Sequence, residues 1–268
     1  MNNLYRELAP ISDEAWAQIE EEASRTLKRH LGARHVVDVV GPKGFDFPAA
    51  GTGHTKQIEA PGDGIQAVQR EVKPLVELRV PFELSRQAID DVERGADDSD
   101  WDPLKDAAKK IAFAEDRAIF EGYAAANIQG MRQESSNTAL ILSSNVRNYP
   151  DIVAQAISEL RLAGVNGPYR LVLGSDAYTT ATGGSDEGYP VLQHIYRLVE
   201  GEIIWAPAIK GGFVLSTRGG DFELNLGQDI SIGYLSHSET AVKLYLQESF
   251  TFRVLTTEAS VALTSSGK

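Results

Sequence analysis

Apolar residues recur at helical spacing near the start of the chain. Trp16, Ile19, Ala23, Leu27 and Leu31 fall on one side of a helix predicted over 12–31. Ser12 can cap its first turn, Asp13 and Glu14 suit the positive end of the helix dipole, and Gly32 suits the stop. Arg34 to Val40 alternate weakly and read as a strand. Residues 41–73 then turn rich in Gly, Pro and polar side chains, and alternation returns only from Ile65 to Val72. A segment with so few apolar residues cannot bury itself. It is a loop, or an extended hairpin whose edges a neighbour must cover.

Residues 74–84 read as a strand, followed by a short helix after Ser85 and an acidic loop. Pro103 opens the longest helical pattern, with Leu104, Ala107, Ala108, Ile111, Ala114, Ala118 and Ile119 on one face and a stop near Gly122. A further helix after Tyr149-Pro150 carries Ile152, Val153, Ala156, Ile157 and Leu160, and Gly164 suits its end. The second half reads as a strand from Tyr169 to Leu173, a helix from Pro190 to Val199, and strands at Glu202–Ala206, Phe213–Thr217, Phe222–Leu226, Ile230–Tyr234, Val242–Gln247, Phe250–Leu255 and Ser260–Leu263. Without repeats or a linker, this mixture predicts an α+β fold.

The 268 residues are 42% hydrophobic and 24% charged, enough apolar content for a folded core. The net charge of −12 and the lack of a basic run argue against nucleic-acid binding, which depends on Lys and Arg displacing counterions. The absence of cysteine excludes thiolate nucleophiles, disulfides and Cys-ligated zinc. The start, MNNLYRELAP, has no apolar core of a signal peptide, and no apolar stretch nears the roughly 20 residues that span a bilayer. A cytoplasmic protein with no membrane partner is the expectation.

Motifs for chemistry fail on spacing. The acidic stretch from Asp98 would place Pro103 and Lys109 where a calcium loop needs Gly and a bidentate Glu. The stretch Gly51–Lys56 lacks the spacing of a phosphate loop, and there is no G-x-S-x-G. His30, His35, His54, His194 and His237 form no H-x-x-x-H pair. The carboxylate runs Glu20–Glu22 and Asp90-Asp91 read as solvated faces. No catalytic residue, metal or cofactor is expected, and the chain does not read as an enzyme. A small-oligomer hydrolase, a secreted bacteriocin-like antagonist and a genome-packaging capsid are the rival readings.

A resemblance covers essentially the whole chain. MNNLYRELAPISDEAWAQIEEEASRTLKRHL, RHVVDVVGPKG, AIDDVERGADDSDWDPLKDAAKKIAFAEDRAIFEGY, GVNGPYRLVLG, EGYPVLQHIYRLV, EIIWAPAI, STRGGDFELNLGQDISIGY and YLQESFTF, in that order, resemble encapsulins, the linocin-like shell proteins. The resemblance implies the capsid fold of the Hong Kong 97 phage type. It implies a peripheral domain in residues 1–48, 74–133 and 222–262, an extended loop at 49–73, an axial domain at 134–221 and a flexible tail at 263–268, with a spine helix over about 103–129. It further implies self-assembly into the smallest icosahedral nanocompartment. The cargo would be a dye-decolorising peroxidase, or a ferritin-like iron protein, carrying an apolar and basic C-terminal targeting peptide. The positions matching the peptide-binding wall are Leu27, Arg34, Asp38, Asp229, Ile230 and Ile232. Ser185, Asp186 and Glu187 match the rim of the five-fold pore. Some encapsulins stack a flavin between aromatic residues; Tyr189 matches one, but Gln87 stands at the other, so no flavin is expected.

Overall fold

A computed structural model describes residues 3–199 and 201–265. Helix α1 (Asp13–His30) starts where its cap predicts, with Ser12 Oγ accepting the Ala15 N–H at 3.2 Å. The strand expected from Arg34 is shorter than the pattern implied. The N–H groups of Gly32 and Ala33 both donate to the Asp116 carboxylate at 3.0 Å, which curls Ala33–His35 into a 3-10 turn. Strand β1 (Asp38–Val40) begins only after it.

The polar segment is a hairpin of β2 (Ala49–Ile58) and β3 (Ala67–Pro74), paired from Ala49↔Pro74 to Ile58↔Ala67. Among the described residues its strands pair only with each other, and Ile58, Ile65, Val68 and Val72 are exposed.

Strand β4 (Val76–Ser85) leads into α2 (Arg86–Glu93), whose first turn is capped by Ser85. The long helix α3 (Asp102–Phe120) ends well before residue 129, the limit expected for the spine. Gly122 takes φ +87°, outside the helical region, and the chain folds back so that Gly122 lies against Gly130. There follow α4 (Met131–Glu134), β5 (Leu140–Leu142), α5 (Tyr149–Leu162), β6 (Tyr169–Leu173), α6 (Ser175–Gly183), a small hairpin of β7 (Ser185–Asp186) and β8 (Tyr189–Pro190), α7 (Val191–Val199), β9 (Ile203–Trp205), β10 (Gly212–Ser216), β11 (Phe222–Leu226), β12 (Ser231–His237), β13 (Ala241–Val254) and β14 (Ser260–Ser265). The pattern missed α4, α6 and β5: two are too short for a period, and α6 is rich in Thr, Ala and Gly.

Among the described residues, two five-stranded sheets organise the chain. In the first, β1, β11, β13 and β12 lie in that order, and β4 pairs along the other edge of β13. Strand β13 is continuous through Glu248 and Ser249, where a break was expected, because both side chains are buried rather than turned to solvent. The second sheet runs β5, β14, β10, β6, β9. Strand β14 therefore belongs with elements of the 134–221 segment rather than with 222–262, and it carries residues 263–265 out of the expected tail. Residues 266–268 of that tail lie outside the described residues.

Two apolar clusters lie along the molecule; α3 and β13 run through both, and β11 of the first sheet packs in the cluster of the second. Leu104 and Ile111 of α3, with Leu244 and Leu246 of β13, pack with α1 and α2. Farther along, Ile119 and Phe120, with Phe250 and Phe252, pack with the second sheet and its helices. Between the clusters the same two elements bury Glu115, Asp116, Gln247 and Glu248.

Replacing Gly122 with Ala should destabilise the chain by about 1–3 kcal/mol, since the new side chain meets the Gly130 backbone at a φ that favours glycine. Denaturant unfolding midpoints compared with the parent chain measure this, and an unchanged midpoint would contradict it.

Candidate functional site

The exposed side of α1 faces the start of β12 across a groove of about 430 Å³. The helix repeat that buries Ile19 and Ala23 turns Leu27 only partly inward, so Leu27 lines the groove instead of the core. Opposite it stand Asp229, Ile230, Ser231 and Ile232, with Leu246 and Leu31 at the floor. One end is bounded by the N-terminal segment. The Tyr234 N–H donates to Leu4 O at 2.8 Å, and Arg6 lies over the Trp16 ring at 4.2 Å while pairing with Glu20. The other end is bounded by Arg34.

Five of the six expected wall residues thus meet: Leu27, Arg34, Asp229, Ile230 and Ile232. Asp38 does not join them. It lines a separate polar cleft with His35, Arg170 and Thr217, and its carboxylate accepts the Gly220 N–H at 2.6 Å. The turn at Ala33–His35 separates it from Arg34. Leu4 and Leu246 were missed as groove residues because each comes from a segment remote in sequence: the register Ile232↔Leu246 brings in Leu246, and the Tyr234 N–H bond to Leu4 O brings in Leu4.

Arg34 is anchored before it reaches the groove. Its Nε and Nη2 donate to the two oxygens of buried Glu115 at 2.9 and 2.6 Å, and Nη1 donates to Asp229 Oδ1 at 2.8 Å. Burial lowers the pKa of this guanidinium, but Glu115 and Asp229 more than reverse that, so it is held above its ordinary value. Asp116 is pushed up to about 8 by burial, against the pull of its N–H bonds from Ala33 and Gly32. Glu248 is raised well above the carboxylate range by burial and then by the charge of Glu115. Arg34 Nη2 stands 3.6 Å from Glu248 Oε2, too far for a hydrogen bond, and as a carboxylate Glu248 receives none among the described residues. Burial beside Glu115 favours the protonated form of Glu248, which removes the buried charge. The sequence did hold a signal for Glu115. It sits four residues after Ile111 and four before Ile119, on the apolar stripe of α3.

Ser185, Asp186 and Glu187 share the tip of the β7–β8 hairpin, where Glu187 and Gly188 take φ +47° and +87°. Asp186 lies 3.7 Å from Arg147, which offsets part of the acidic character expected there. Tyr189 meets His194 edge-on at 4.6 Å and lies under Arg197 at 5.5 Å, while Gln87 is exposed on α2. Among the described residues, no group of three or more His, Cys, Asp or Glu is arranged to hold a metal, and no helix is long and apolar enough to cross a membrane.

Comparison with known proteins gives a consistent picture. The family described as encapsulating protein for peroxidase matches residues 1–251. A type 1 encapsulin shell protein of Rhodococcus erythropolis is 62% identical over 98% of this chain and 100% of its own length. Among solved structures, the virus-like particle from Pyrococcus furiosus is similar with a TM-score of 0.62 at 15% identity, covering 92% of this chain and 98% of its own. A chain of Mycobacterium phage Bobi has a TM-score of 0.56 at 12% identity, covering 100% and 96%.

The buried carboxyls make stability depend on pH. Asp116 and Glu248 hold a proton more tightly folded than unfolded. Their contribution is complete below the unfolded carboxylate values near pH 4 and is lost as pH rises through the folded values, about 8 for Asp116. Denaturant midpoints should therefore fall between about pH 5 and about pH 9, with up to about 1.4 kcal/mol per unit for each such group. Glu248→Gln, permanently neutral and still a donor, should flatten the decline and be at least as stable as the parent at about pH 9. Parallel pH profiles would show that Glu248 carries no linked proton.

Proposed function

The chain belongs to the encapsulin shell protein family, and from that premise we propose that its copies close into the smallest icosahedral nanocompartment, in the cytoplasm, around a cargo enzyme. Its fold is the α+β capsid fold of the Hong Kong 97 phage type, and its role is structural. The observation that carries the assembly is the β2–β3 hairpin. Its strands have no other partner among the described residues and its Ile58, Ile65, Val68 and Val72 are exposed, so burial must come from a neighbouring copy. Residues 49–73 are the arm that crosses to that neighbour. Contacts of this head-to-tail kind must close or run on as filaments, and a shell is their closed form.

In this reading the first sheet with α1, α2 and α3 makes the peripheral domain. Residues 134–221 together with β14 make the axial domain around the symmetry axes. The hairpin tip with Ser185, Asp186 and Glu187 rims the five-fold pore, where Glu187 and Asp186 favour cations over anions. The groove beside α1 opens on the inner wall and takes the C-terminal targeting peptide of the cargo. Leu27, Ile230 and Ile232 cover its apolar side chains, each worth roughly 1.5–3 kcal/mol when fully buried, and Asp229, half-exposed, faces its basic residue. Arg34 serves by fixing Asp229. The family description supports a peroxidase as cargo, which we take to be of the dye-decolorising type, with a ferritin-like iron protein as the next candidate.

Two measurements test this. Purified protein should sediment as a hollow particle in the megadalton range, seen as closed shells by electron microscopy. A monomer or small ring with hydrolase activity would overturn the shell. On co-expression with tagged cargo, Leu27→Asp or Ile230→Asp should lower loading at least about tenfold, the factor that about 1.4 kcal/mol produces, with particle size unchanged. Asp38→Asn, outside the groove, should load normally. Equal loading by all three variants would remove the groove from the reading.

A further inference from the structure

The groove has a backbone side as well as a side-chain side. Strand β12 pairs with β13 in the register Ser231↔Gln247, Ile232↔Leu246, Gly233↔Tyr245, Tyr234↔Leu244. In an antiparallel ladder alternate residues turn both backbone polar groups toward the partner strand, and the intervening ones turn them away. Tyr234 is one that faces away, because its N–H donates to Leu4 O at 2.8 Å. Ile230 lies just before the strand, and its N–H is taken by Asp229 Oδ1 at 2.8 Å. The two-residue period counted from Tyr234 turns the N–H and C=O of Ile232 to the outer edge of β12. That edge already bonds main chain at Tyr234, where the carbonyl of Leu4, in a turn ahead of the 3-10 helix at Arg6–Leu8, accepts its N–H.

We propose that the docking peptide binds as an added β-strand on the outer edge of β12, exchanging main-chain hydrogen bonds with Ile232 where the N-terminal segment leaves off. This rests on the groove being the docking site. Ile232 lines the same groove as Leu27, so a strand laid along this edge turns every second side chain toward α1. The groove is stopped at one end by Leu4 and Arg6 and at the other by Arg34 and Asp229, which admits a few residues of one extended chain and excludes a two-stranded arm from another copy. Both hydrogen bonds to the Asp229 carboxylate fall on Oδ1 and its side chain is 47% exposed, which places a carboxylate for a basic residue at that end. The specificity that follows is apolar residues at alternate positions and a cation at one end, with main-chain bonds supplying affinity that does not depend on sequence.

The test uses the full-length chain co-expressed with a fluorescent protein bearing a C-terminal tag of alternating Leu and Ser with one Lys. Loading is read as fluorescence per particle while single prolines are moved through the tag. Proline lacks the N–H and is tolerated in a strand only where that group faces away from the partner. At the tag positions whose N–H meets β12, Pro should lower loading about tenfold or more below Ala at the same position, while at the positions between them Pro and Ala should load alike. In the shell, Ile232→Pro should lose far more loading than Ile232→Ala, which keeps the N–H; the wild-type shell with the proline scan decides if the Pro variant does not assemble. Proline tolerated throughout, or losses beyond Ala without a period of two, in a tag whose loading still responds to Leu27→Asp would overturn strand addition and leave the groove standing. A tag that fails to load, or loads regardless of Leu27→Asp, would overturn both.

Discussion

Arg34 and the carboxylates around it hold the molecule at its joint. Helix α3 and strand β13 each run from one apolar cluster into the other, and where they cross the gap they bury Glu115, Asp116 and Glu248. Charges so placed cost several kcal/mol each unless paired. Arg34 pairs with Glu115, the backbone of Gly32 and Ala33 satisfies Asp116, and Glu248 keeps a proton. Truncating Arg34 would leave Glu115 buried and uncompensated, a loss of about 3–5 kcal/mol. The same contacts bend the chain after α1 and fix Asp229 through the third arm of the guanidinium. The end of the groove is therefore set by the polar joint rather than by the groove's own residues.

The apolar stripe of α1 serves two purposes along its length. Ala15, Trp16, Ile19 and Ala23 are buried against the first sheet and its helices, while Leu27 is left part-covered beside β12. Burial of the first four stabilises the helix, and the half-covered residue retains apolar area that a partner can cover. The arm follows the same logic on a larger scale. A two-stranded hairpin is at most marginally stable by itself in water. Here it is held at its base, where Arg253 donates to Gly51 O at 3.0 Å and β3 runs on toward β4. Both features leave surface unburied in the single chain, and both face toward another polypeptide in the assembled reading.

Much of the fold was legible because its signals are local. The Ser12 and Ser85 caps, the periodicity of α3 and α5, and most of the strands of the second half are set by residues within a few positions of one another. The expectations that failed did so where distant groups intervene. Asp116 turns the expected strand at Arg34 into a 3-10 turn, and the approach of Gly122 to Gly130 stops α3 before residue 129. Burial between the clusters carries β13 straight through Glu248 and Ser249, which polarity alone marks as a break.

The sequence by itself determined the class of the fold, the kinship to encapsulin shells and the lack of self-burial in residues 49–73, since these depend on composition, order and short-range periodicity. Only the tertiary structure decided which residues share the groove. It brought Leu27, Arg34, Asp229, Ile230 and Ile232 together, added Leu4 and Leu246, and sent Asp38 to another cleft. The physical reason is that a groove between a helix and a sheet edge is defined by strand register and by one turn. The register is fixed by the β12–β13 ladder, and the turn by buried hydrogen bonds from Gly32 and Ala33 to Asp116, more than 80 positions away.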